Sequence, residues 1–128
     1  MNRVLKLRSF HKWMKKAGVT EQSLIEAVEE ILKGLIDVDL GRGLFKQRIP
    51  VPGRGKRGGA RTILATNKGE KWIFLHGFQK NEKENISEIE LDGLAQLALD
   101  YLKLSSKELD EAVAKGKLVE VNYEKSQT

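Results

Sequence analysis

The chain has 128 residues, 40% hydrophobic and 32% charged, with two histidines, no cysteine and a formal net charge of +5. That length suits one domain with its own core. The composition excludes disulfides, thiolate nucleophiles and zinc fingers, and His11 and His76 are too far apart to suggest a ligand motif, so neither a metal nor a cofactor is expected. The N-terminus has no apolar run of signal-peptide length, and the longest apolar segment, around Leu94 to Leu102, is cut by Gln96 and Asp100, so a soluble cytoplasmic protein with no membrane partner is expected.

Taken in chain order, Val4 to Leu7 reads as a short first strand. Phe10, Trp13, Met14 and Ala17 fall at i, i+3, i+4 and i+7 and predict an amphipathic helix that stops at Gly18. Thr20 is placed to cap a second helix, whose stripe runs through Leu24, Ala27, Val28, Ile31, Leu32 and Leu35 with Gly34 interrupting it late. The short connection favours an antiparallel helix pair, one surface of which must cover a sheet.

Three strands are predicted for that sheet, at Leu44 to Val51, Ala60 to Asn67 and Lys71 to Gly77. In the first, alternation sends Lys46 and Arg48 to one face and Phe45 and Ile49 to the other. Asn67-Lys68-Gly69 is a tight hairpin signal, and Trp72 to Leu75 give the third strand the continuous apolar run of a central position. Pro52 to Gly59 connects the first two strands as a glycine-rich cationic loop. It is not a Walker A loop, because no Ser or Thr follows Lys56 and a strand comes next.

Toward the C-terminus, Ser87 with Glu90, and Ser105 with Glu108, are spaced as capping boxes for two helices. Leu91, Leu94, Ala95, Ala98 and Leu102 form the stripe of the first, the second ends near Gly116, and Leu118 to Val121 adds an edge strand. The whole is expected to be one domain of the α+β class over residues 1–128, an N-terminal helix pair packed on a small antiparallel sheet with C-terminal helices. Its core is about residues 3–104, with an extension over 105–128.

The charge is not spread evenly. Gly41 to Gly69 holds eight basic residues (Arg42, Lys46, Arg48, Arg54, Lys56, Arg57, Arg61 and Lys68) and no Asp or Glu, which leaves fifteen basic against eighteen acidic residues elsewhere. So local a positive region marks a site for polyanions. If the strands form a meander, Lys46, Arg48, Arg61 and Lys80 converge on one surface, where they can hold a phosphodiester and stabilise the extra charge of a pentavalent transition state. His76 is the acid/base candidate beside them. Arg42, Arg54, Lys56, Arg57 and Lys68 are candidates for wider contact with the same polyanion.

The order of helix pair, then Leu40-Gly41-Arg42-Gly43-Leu44-Phe45-Lys46-Gln47-Arg48, then Gly53 through Arg61-Thr62, then Phe74-Leu75-His76-Gly77-Phe78-Gln79-Lys80-Asn81-Glu82, resembles the RelE/HigB-like toxins of bacterial type II toxin–antitoxin modules. The resemblance covers about residues 3–104. It implies a small microbial-RNase-like α+β fold and a ribosome-dependent endoribonuclease, an mRNA interferase. In such enzymes the 2′-OH attacks the adjacent phosphate with Lys and Arg in the main roles and no metal. It also implies three partners, a cognate antitoxin of helix-turn-helix or acidic type, the ribosome and mRNA. By position, Lys46 and Arg48 match the cations of the strand after the helix pair, Arg61 the arginine after the hairpin, and Lys80 the cationic segment after the last strand. The tyrosine of the RelE type has no counterpart near Ile86, and Asn81 stands where an arginine would. General acid and base are therefore open among His76, Lys46 and Lys80. Two alternatives remain, a ParE-like inhibitor of DNA gyrase without nuclease activity and a plain nucleic-acid-binding module.

Overall fold

The computed structural model describes residues 3–51, 53, 55–67, 70–79 and 86–122, with the side chains of 55–58 outside the description. Chain order runs β1 (Arg3–Leu7), α1 (Arg8–Ala17), α2 (Glu21–Leu32), β2 (Val38–Gly41), β3 (Leu44–Val51), β4 (Gly55–Asn67), β5 (Lys71–Gln79), α3 (Glu88–Leu102), α4 (Ser106–Ala114) and β6 (Leu118–Glu120). The strands form one sheet in the order β2-β3-β4-β5-β1-β6. The α+β class holds, with one correction to the expected sheet. β1 runs parallel to β5 in the register Val4↔Trp72 to Lys6↔Phe74, while the other neighbours are antiparallel. The chain reaches β5 by a meander that starts at the far edge, so β1 fills the place beside it without a hairpin.

Helix ends follow local chemistry. Thr20 caps α2 by accepting the Ser23 N–H. The predicted stripe to Leu35 is too long, because α2 ends at Leu32, where Gly34 takes φ +85° and the Leu35 N–H returns to the Glu30 carbonyl at 2.8 Å. That is a Schellman closure, and it leaves Leu32 and Leu35 exposed. At α4, Ser105 and Glu108 form the full capping box; at α3 only half of it forms, since the Glu90 carboxylate takes the Ser87 hydroxyl.

Register assigns the two faces of the sheet. Lys6, Phe74, Leu64, Thr62 and Gln47 lie on one, and α1 and α2 cover it. The Phe10 and Phe74 rings sit 5.3 Å apart there, and a Cβ on Gly77 would collide with the Trp13 indole, so only glycine lets α1 lie this close. On the opposite face, Leu44, Ala65, Ile73, Leu5 and Leu118 are buried where α3 packs on β4 and β5 and α4 on β6. Among the described residues the remainder of that second face, toward the far ends of β3, β4 and β5, is the more open part, with Arg48 and His76 exposed on it.

Candidate functional site

The open face is defined by two rows of paired residues. Arg48 pairs with Arg61 and Arg61 with Phe78; Lys46 pairs with Ile63 and Ile63 with His76. Residues directly opposite in a ladder share a face, so Lys46, Arg48, Arg61, His76 and Phe78 all project to the same side. For His76 this depends on an irregularity. Ile63 pairs with His76 but Leu64 with Phe74, so β5 carries one extra residue, Leu75. Strict alternation would put His76 with Phe74 under α1; the bulge turns it to the cationic side. It is exposed there, its ring 6.1 Å from that of Phe78.

A cleft of about 270 Å³ opens on this face, lined by Asp37, Val38, Lys46, Arg48 and Arg61. The structure thus brings three of the sequence candidates around one cavity, with His76 two strands away from Lys46, about 10 Å by ordinary strand spacing. Among the described residues Arg61 Nη1 is buried and has no hydrogen-bond partner. A buried N–H donor left unsatisfied in that way is costly unless an acceptor completes it.

Asp37 is the member that sequence reasoning missed. It lies in the connector between α2 and β2, ahead of the acid-free interval, and no motif marks it. Its Oδ2 accepts the Arg48 backbone N–H at 2.7 Å and its Oδ1 faces Arg48 Nη2 at 3.3 Å. Beneath it, the buried Gln47 side chain stitches the connector to the sheet. Gln47 Oε1 accepts the Asp37 N–H at 3.1 Å, and Gln47 Nε2 donates to the Leu35 carbonyl at 2.9 Å and toward Glu30 at 3.4 Å.

The remaining candidates fall elsewhere. Arg42 is not in the cleft; it sits in the β2–β3 turn at φ +57° and pairs with Asp92 of α3 at 2.5 Å. Arg54, Lys68 and Lys80 lie outside the described residues, as do Asn81, Glu82 and the side chains of Lys56 and Arg57. The glycine-rich loop is shorter than expected. Val51 already pairs with Gly55, so Lys56 and Arg57 belong to β4, and the ladder is irregular between Ile49 and Val51, where Pro50 lacks the N–H that regular pairing needs.

A family model described as the RelE toxin of the RelE/RelB toxin–antitoxin system matches residues 2–121. No curated protein shows significant similarity to the chain. Among the described residues no helix is long and apolar enough to cross a membrane.

Proposed function

Because the chain belongs to the RelE toxin family, it is the toxin of a toxin–antitoxin module with an antitoxin as its partner, and we propose that it acts as a ribosome-dependent endoribonuclease on mRNA. The observation that carries this reading is the cleft in which Lys46, Arg48 and Arg61 meet, with Arg61 Nη1 buried and unpartnered among the described residues. A phosphodiester supplies the acceptor that Arg61 Nη1 is without among the described residues. Arg48 and Arg61, adjacent across β3 and β4, suit its non-bridging oxygens, and Lys46 adds a point charge beside them.

The reaction that fits is transfer within the RNA. The 2′-oxygen bonds to the adjacent phosphorus, the bond to the 5′-oxygen breaks, and the products are a 2′,3′-cyclic phosphate and a 5′-hydroxyl. Negative charge accumulates on the phosphorane as it forms, and fixed cations aimed at that charge lower the barrier. One group removes the 2′ proton and another protonates the leaving oxygen. His76 and Lys46, on one face of the sheet, serve that exchange, with Lys80 as the third contender.

Primer extension on a defined mRNA in a reconstituted translation reaction tests the reading. Breaks phased with codons, present only with initiated ribosomes, are expected. Intact mRNA together with inhibited DNA gyrase would replace it with the ParE-like alternative.

A further inference from the structure

The cleft contains its own anion. Asp37 is held in place from two sides, by the Arg48 backbone N–H on its Oδ2 and by the buried Gln47 amide on its backbone N–H. Its other oxygen meets the Arg48 guanidinium at a looser 3.3 Å, and both side chains keep solvent contact, at 45% for Arg48 and 24% for Asp37. A tight anchor to the main chain and a loose contact to the guanidinium define different jobs. The anchor fixes where the carboxylate stands; the loose contact is one that a stronger, bidentate anion can replace.

We propose that Asp37 is a built-in competitor for the phosphate that Arg48 takes, and that it sets how readily the cleft accepts RNA. The inference rests on the phosphate reading of the cleft. In the free protein the carboxylate occupies Arg48 and lowers the local positive charge, so an isolated strand benefits little from entering. RNA delivered in a fixed position lifts the guanidinium away, while Asp37 stays on the Arg48 N–H. The residue therefore acts on selectivity, disfavouring RNA that arrives by diffusion alone.

The test measures binding of the purified full chain to a short fluorescent oligouridylate across a salt series. Asp37→Asn keeps an acceptor for the Arg48 N–H and removes the charge, and Asp37→Ser is a second variant that removes the charge with a shorter polar side chain. Each is expected to bind about fivefold tighter at low salt, with a log–log salt slope steeper by about 0.7, the value for one further phosphate neutralised on a single strand. The tighter binding should vanish when Arg48→Ala is added. Glu26→Gln, the same charge change at an exposed position of α2, should leave binding unchanged. The inference is overturned by unchanged or weaker binding in both Asp37 variants, by tighter binding that survives the loss of Arg48, or by an equal tightening in Glu26→Gln. Arg48→Ala and Arg61→Ala in the otherwise unaltered chain separate the two levels. If neither weakens binding, the phosphate reading of the cleft fails; if both do while the Asp37 variants bind no tighter, only the role of Asp37 fails.

Discussion

Lys6 and Arg61, on opposite faces of the sheet, are satisfied to different degrees. On the helix-covered face Lys6 is fully buried, and its Nζ is satisfied by Glu21 Oε2 at 2.8 Å, His11 Nδ1 at 2.9 Å and Met14 Sδ at 3.3 Å. On the open face Arg61 Nη1 is buried without a partner among the described residues, and Lys46 and Arg48 stand around the same cleft. A cation surrounded by its own acceptors ties β1 to α1 and α2 and has nothing left to offer a ligand. A guanidinium such as that of Arg61, with one buried N–H unsatisfied among the described residues, keeps a donor for an anion from outside. Burial alone does not separate structural from functional charge; the state of the partners does.

Mutation should break this comparison along the same line. Arg61→Ala is expected to show the largest effect, a loss of about two to three orders of magnitude in cleavage rate with the fold retained. It should therefore be non-toxic when expressed without antitoxin. Full growth arrest by the soluble, folded variant would remove Arg61 from the chemistry.

On the covered face the cost should appear in stability. Glu21→Ala leaves the buried Lys6 ammonium without its carboxylate and removes an acid from the first turn of α2, together about 2 to 3 kcal/mol in urea unfolding. Cleavage per folded molecule should not change, and a rate loss without a stability loss would reverse the assignment of the two faces.

His11 gives the covered face a pH dependence. Burial first, and then the Lys6 ammonium, hold its pKa below the ordinary 6.5. The unfolded chain then binds the proton more readily than the folded one, so the stability tied to neutral His11 is complete above about pH 6.5 and declines as the pH falls below it. Denaturant midpoints for the parent chain and His11→Gln should differ in slope below pH 6.5 and run parallel above it; parallel curves throughout would exclude this titration. The smallest effect should come from Asp92→Asn, within about 0.5 kcal/mol, because the Arg42–Asp92 pair is exposed on both sides.

Much of this division was legible in the sequence because it rests on local pattern. Alternation along Leu44 to Val51 gave the shared face of Lys46 and Arg48, and the apolar run at Trp72 to Leu75 gave an inner strand flanked on both sides. What escaped depends on contacts between distant segments. β2 is only four residues long and lies on the sheet edge, with Asp39 and Gly41 in its span, so it carries no strand signature. The bulge that turns His76 outward appears only when β5 is set against β4. Lys6 reads as one polar residue in a strand, and its burial needs Glu21, fifteen positions away. Asp37 was invisible for a related reason, since what makes it part of the cleft is the Gln47 amide that anchors its connector.

The most direct test of the central claim is the chemistry of freshly cut mRNA ends. Capture of new 3′ ends after induction of the chain should find 2′,3′-cyclic phosphates facing 5′-hydroxyls, as follows when the RNA's own 2′-oxygen attacks a phosphate held by Lys46, Arg48 and Arg61. New 3′-hydroxyl ends opposite 5′-phosphates would contradict the account, because they require attack by water from outside the strand.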